Sequence, residues 1–122
     1  MKNIILVMTI LNNFFGGRAQ QSDSIKILSA AEFHSAIDNK DVQLVDVRTE
    51  KEFNEGNIKN AINIDFFNQA TFNSEFEKLD KSKPVYLYCR SGNRSHQAAV
   101  KLEAMGFKEI YDLKDGYMGW SY

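Results

Sequence analysis

One cysteine and one proline in 122 residues are scarcities that narrow what this chain can be. A lone cysteine forms no internal disulfide, which leaves its thiol available for chemistry. Two separated histidines, His34 and His96, and that one cysteine lack the ligand spacing of a metal site, so neither a metal nor another cofactor is expected. An excess of charge of either sign is lacking too. With 15 basic and 16 acidic side chains the net charge is −1, which does not suggest a nucleic-acid partner. The longest apolar run, Ile4 to Leu11 broken by Thr9, falls short of the roughly 20 residues that cross a membrane. Repeats and low-complexity segments are absent as well.

What is present fits one soluble domain. A chain with 43% hydrophobic and 25% charged residues over this length supports a single core and leaves no room for a second. Ahead of the domain, Lys2, the apolar run, and Gly17 and Ala19 at the −3 and −1 positions of a cleavage site have the layout of a secretory signal peptide. Residues 1–19 are therefore read as a leader and residues 22–122 as the domain, located in a bacterial periplasm or outside the cell, with no stable membrane insertion after processing. Without Lys2 and Arg18 the net charge falls from −1 to −3. The alternative makes residues 4–11 an extra strand or helix of the domain.

From Ser22 onward, strand and helix signals alternate. Ile25 to Leu28 reads as a short strand, and Ser29-Ala30-Ala31-Glu32 as a capping box opening a helix to about Ile37. Val42 to Val47 is mostly apolar rather than alternating, as suits a strand covered on both faces. Thr49-Glu50-Lys51-Glu52 is a second capping box, for a helix ending near Gly56. Ala61 to Ile64 reads as a strand, Phe72, Phe76 and Leu79 fall at helical spacing, and Val85 to Tyr88 and Ile110 to Leu113 are further strands. Gly116 to Trp120 is a closing turn or short helix. Such strand–helix units predict an α/β fold, a small parallel β-sheet flanked by helices on both faces.

The chemistry concentrates where the apolar Tyr86-Leu87-Tyr88 ends in Cys89 and is followed by Arg90-Ser91-Gly92-Asn93-Arg94-Ser95. After this loop Ala98, Leu102 and Met105 fall at helical spacing before a stop at Gly106. A tight loop entering a helix presents unpartnered amides to an anion, and Arg90 and Arg94 add positive charge, so the thiolate is favoured over the thiol. Gly92 suits a loop that needs one residue at positive φ. Cys89 is thus read as a nucleophile at the carboxyl end of a strand, where sites form in parallel sheets. Asp46 and Arg48 end another strand and either line the same pocket or form an ion pair beside the loop. His34 and His96 read as solvated, and Tyr88, Tyr117 and Trp120 as core or as entrance walls.

The stretch Leu87 to Ser95 resembles the active-site loop of single-domain rhodanese-like sulfurtransferases. Asp46-Val47-Arg48 with Glu52-Phe53, then Gly56 to Ile64, Gly106-Phe107 and Gly116 to Trp120 resemble the family's other signatures in order, over about residues 25 to 121. Asn57 stands where the family often has histidine, and Asn60 and Asp115 where it commonly has glycine. The resemblance implies that Cys89 takes sulfur from a small anionic donor such as thiosulfate, holds it as a persulfide and passes it to cyanide or a thiol. Arg90, Ser91, Gly92, Asn93, Arg94 and Ser95, with Asp46 and Arg48, would surround the substrate. A cysteine-dependent phosphatase or arsenate reductase, and a non-catalytic rhodanese-like binding module, are the rival classes. Four residues separate Cys89 from Arg94, one fewer than in phosphatase loops of the C-x5-R kind, and the intact cysteine, glycine and arginines argue against a module without turnover.

Overall fold

None of the strand signals is long enough to persist alone, so the strands depend on one another. In the computed structural model of the protein, which describes residues 22–122, five of them pair into one parallel sheet. They are β1 (Ile25–Leu28), β2 (Gln43–Asp46), β3 (Ile62–Asn63), β4 (Val85–Tyr88) and β5 (Ile110–Leu113), in the spatial order β1-β5-β4-β2-β3. The expected leader, residues 1–19, lies outside the described residues. Strands β2 and β3 are shorter than the apolar runs that announced them, yet pairing continues past their ends. Val47 N–H donates to the Tyr88 carbonyl at 2.9 Å and Ile64 N–H to the Asp46 carbonyl at 3.0 Å.

The connections are α1 (Ala30–Ile37), α2 (Glu50–Glu55), α3 (Gln69–Phe76) and α4 (Asn93–Ala104), followed by a closing 3-10 turn, Tyr117–Gly119. Both capping boxes form, Ser29 with Glu32 and Thr49 with Glu52, each satisfying an amide that the first helical turn leaves open. Helix α3 begins before the Phe72 to Leu79 pattern and ends before it finishes, Leu79 reaching the core from the following turn.

Because side chains alternate along a strand, β4 sends Val85 and Leu87 to one face and Tyr86 and Tyr88 to the other. The first face packs against Phe72 and Phe76 of α3 and Ala98 and Leu102 of α4; the second packs against Phe33 and Ile37 of α1. Helices therefore cover both faces, as the strand–helix alternation predicts. Among the described residues, no helix is long and apolar enough to cross a membrane.

Topology places the site. From β2 the chain moves outward to β3, then returns to β4 on the other side of β2 and continues to β5. The connections diverge between β2 and β4, and a crevice opens outside the carboxyl ends of those two strands. Asp46 ends β2 opposite Tyr88, and the next residue after Tyr88 is Cys89. Asn60 (φ 72°) and Asp115 (φ 65°), which stand where the resembled family carries glycine, both occupy the left-handed region that asparagine and aspartate tolerate better than most residues.

Candidate active site

Cys89 sits one residue past β4 and is 1% exposed. Its Sγ accepts the Gly92 N–H at 3.0 Å, so the chain turns back on the sulfur within three residues. Gly92 makes that turn at φ 112°, in the region that L side chains disfavour, and is the N-cap of α4. The sulfur consequently lies at the amino end of a twelve-residue helix, where amides and dipole favour negative charge. Nothing in the sequence supplies a capping side chain at Gly92. For that reason the helix start was legible only from the apolar positions farther along, and α4 in fact begins at Asn93.

That early start redistributes the loop residues. Arg90, Ser91 and Asn93 are exposed, whereas Arg94 and Ser95 belong to the first turn of α4. Arg94 does not stand free to attract an anion. Its guanidinium donates to both oxygens of Glu52, at 2.8 and 3.0 Å, and lies over the Phe67 ring at 5.2 Å. Ser95 is fully buried and donates to Asp112 at 2.6 Å rather than facing a cleft. Of the amides expected to cradle the sulfur, Gly92 N–H is the one within bonding distance of Sγ among the described residues.

Asp46 and Arg48 form a buried ion pair. The Arg48 guanidinium reaches Asp46 Oδ2 at 2.6 Å and the Gly56 carbonyl at 2.7 Å, and its Nε donates to both carboxylate oxygens at 3.0 Å. Arg48 also lies 4.4 Å from the centre of the Tyr117 ring. A cleft of about 380 Å³ opens beside this group, lined by Arg48, Glu52, Glu55, Arg90, Tyr117 and Met118. Arg90 is the exposed cation nearest the cysteine in sequence, and it lines that cleft. Tyr88 is wholly buried and its hydroxyl accepts the Ile58 N–H at 3.0 Å. Trp120 belongs to a different depression, of about 250 Å³, shared with His34 and Tyr122 and lined by no residue of the cysteine loop. Among the described residues no cluster of histidine, cysteine, aspartate and glutamate could hold a metal.

Four site contacts are not legible in the sequence: Glu52 with Arg94, Asp112 with Ser95, and the Tyr117 and Met118 amides with the cysteine loop. Tyr117 N–H donates to the Cys89 carbonyl at 2.8 Å and Met118 N–H to the Arg90 carbonyl at 3.0 Å, so the closing turn braces the backbone that carries Cys89. Asp112 left a visible trace, an acid inside the apolar strand Ile110-Tyr111-Asp112-Leu113. Glu52 was read as a capping residue, and it serves both purposes because its Oε1 also accepts the Thr49 N–H at 3.0 Å.

The hydrogen-bonded Arg94 guanidinium holds the Glu52 carboxyl down at about 2, against an ordinary value of 4.5. Since the folded state prefers the ionised form, this contribution to stability is complete above pH 4.5 and is lost as the pH falls towards 2. Glu52→Gln is expected to lower stability at neutral pH and to flatten the acid limb between those values. Circular dichroism against pH measures this; parallel acid limbs for the two proteins would exclude it.

Comparison with known proteins bears on the family and the fold. The thiosulfate sulfurtransferase GlpE of Coxiella burnetii is 35% identical over 95 residues, covering 78% of this chain and 86% of that protein. A tRNA uridine(34) hydroxylase of Pelagibacter ubique is 36% identical over 88 residues, or 72% of this chain, but the match spans only 29% of the hydroxylase. The crystal structure of a rhodanese-like domain protein from Staphylococcus aureus matches with a TM-score of 0.69 and 30% identity, covering 79% of this chain and 91% of that one. Residues 29–122 match the family described as rhodanese-like domain. That match takes in the cysteine loop and four of the five strands, and on it the chain belongs to the rhodanese-like domain family.

Proposed function

We propose that this protein is a sulfurtransferase in which Cys89 carries the transferred sulfur. The observation that supports it most directly is the Cys89 sulfur against the Gly92 amide at the amino end of α4, with the next residue, Arg90, lining a cleft. The Cys89 thiolate attacks the outer sulfur of thiosulfate, the S–S bond of the donor breaks, and sulfite leaves with the electron pair. Cyanide or a thiolate then attacks the outer sulfur of the persulfide, and the Cys89 thiolate is released. Neither step needs an outside oxidant or reductant. Gly92 N–H favours negative sulfur, and Arg90 offers a positive charge to the donor and to departing sulfite.

Near-complete burial of Cys89 suits a donor whose reacting sulfur is terminal and unhindered. A phosphoryl group, which must be held by three oxygens around its phosphorus, finds, among the described residues of the loop, one arginine without an ion-pair partner and three residues before the helix. Intact mass distinguishes the classes. Thiosulfate is expected to add about 32 Da, cyanide to remove it, and Cys89→Ser to show no adduct. An adduct on Cys89→Ser, or none on the unaltered protein, defeats the covalent mechanism. Aryl phosphate hydrolysis that exceeds sulfur transfer and vanishes in Cys89→Ser assigns the site to a phosphatase instead.

A further inference from the structure

We propose that Asp112 and Ser95 are positioning residues for Cys89. The Ser95 hydroxyl hydrogen is exchanged between the Asp112 carboxylate and the Gly92 carbonyl, and its location governs how firmly Gly92 holds the sulfur. This rests on Cys89 being the reacting group, and it concerns residues behind the loop rather than in the substrate cleft.

The geometry offers one hydrogen to two acceptors. Ser95 Oγ lies 2.6 Å from Asp112 Oδ1 and 3.3 Å from the Gly92 carbonyl oxygen. A hydroxyl carries a single hydrogen, so it can satisfy only one of them at a time. While Asp112 is ionised, the short charge-assisted bond to the carboxylate wins, and the Gly92 carbonyl keeps only the His96 N–H, at 3.1 Å. Once Asp112 gains a proton, its own O–H donates to Ser95 Oγ and the serine hydrogen turns to Gly92. The proton comes from solvent and returns to it, so the exchange is balanced.

Gly92 is where that exchange has an effect. The same residue binds Cys89 Sγ through its N–H, at 3.0 Å, and sits at φ 112° with no side chain to fix it. A second donor on its carbonyl restrains the rocking that would carry the N–H off the sulfur. The negative charge behind the sulfur disappears in the same step, so both effects increase Cys89 reactivity.

Asp112 is 3% exposed, and burial pushes its carboxyl up to about 6, with the Ser95 bond and His96 opposing that rise. Strand β1 sets Ile27 opposite it and β4 sets Leu87, neither of which titrates, and Cys89 follows two residues after Leu87. From α4, His96 Nδ1 stands 3.9 Å from Asp112 Oδ2. Lys114 and Asp115, just after β5, line an open cleft of about 360 Å³ together with His96 and Asp112.

Alkylation of Cys89 by iodoacetamide, followed from about pH 4.5 to about pH 8, tests the idea without any sulfur donor. The proposal can therefore hold if sulfur transfer fails, and fail if sulfur transfer holds. In the unaltered protein the rate, divided by that of a free model thiol at the same pH, is expected to show a step near pH 6, where Asp112 titrates. The acid side should be faster by about three- to tenfold, the span of one neutral hydrogen bond. Asp112→Asn donates an amide hydrogen to Ser95 at every pH and should hold the fast value throughout. Ser95→Ala should shrink the step to the part carried by the Asp112 charge, whereas Ser95→Thr and His96→Gln should keep it in full. A step that persists in Asp112→Asn, or that disappears in His96→Gln, overturns the assignment. Should a variant fail to fold, the Gly92 amide shift in the unaltered protein is expected to follow the Asp112 carboxyl shift with a shared midpoint. A Gly92 amide that stays still through the Asp112 titration also overturns it.

Discussion

Arg48→Met is expected to destabilise the protein by about 3–5 kcal/mol, the usual consequence of removing one member of a buried ion pair. Asp46 is 0% exposed and Arg48 4%, so the abandoned carboxylate has no solvent to turn to. It would keep the Arg48 backbone N–H, at 2.9 Å, and lose the side-chain donors. Lysine is no substitute, because a single ammonium cannot reproduce a fork that grips two carboxylate oxygens and the Gly56 carbonyl together. For a domain of this size the melting temperature should fall by about 15 °C or more.

The same substitution reaches the chemistry by a second route. Arg48 stacks on Tyr117, whose N–H holds the Cys89 carbonyl, so its loss loosens the brace behind Cys89. Replacing both partners, Arg48→Met with Asp46→Leu, removes the stranded charge and should recover much of the stability. Turnover should recover less, since the contact with Tyr117 and Gly56 is still missing. Thermal unfolding of the three variants decides this. An Arg48→Met protein that melts with the parent would mean the pair is not a structural fixture.

The parts of this fold that were legible in the sequence are those governed by local pattern. Val85 to Tyr88 reads as a strand because every second residue must be buried on one face or the other, and the two capping boxes announce α1 and α2 through side chains that bond their own backbone. Cys89 stood out because an apolar strand stops there and cationic, small residues follow. The other site features depend on what lies far away along the chain. Arg94 looks like a free cation until α2 brings Glu52 to it from 42 residues away. Ser95 looks like a loop hydroxyl until β5 places Asp112 behind it. Pairing between distant residues leaves no periodicity, so two of the expected substrate contacts turn out to be occupied by partners within the protein.

Gly116 is the position where the smallest addition should do the most harm. A Cβ built there would lie 2.5 Å from the Arg90 carbonyl carbon and oxygen and 2.6 Å from the Cys89 oxygen, all of them backbone atoms that cannot rotate away. Its φ of 58° and ψ of −158° also belong to a region that is essentially reserved for glycine. Gly116→Ala must therefore displace either the closing turn or the backbone of Cys89 and Arg90. Either movement breaks the bonds from Tyr117 N–H to Cys89 and from Met118 N–H to Arg90. We expect a loss of about 2–4 kcal/mol in stability from strain and overpacking. Sulfur transfer, measured as thiosulfate:cyanide turnover, should fall by at least about a hundredfold, since a shift of about 1 Å in a reacting group has that effect. Gly106→Ala is the matched control. Its φ is 102°, but the nearest atom to an added Cβ is the flexible Lys81 side chain at 3.8 Å, so it carries the backbone strain without the collision. It should lose some stability and retain turnover. If Gly116→Ala proves no worse than Gly106→Ala in both measurements, the closing turn does not hold the cysteine in place.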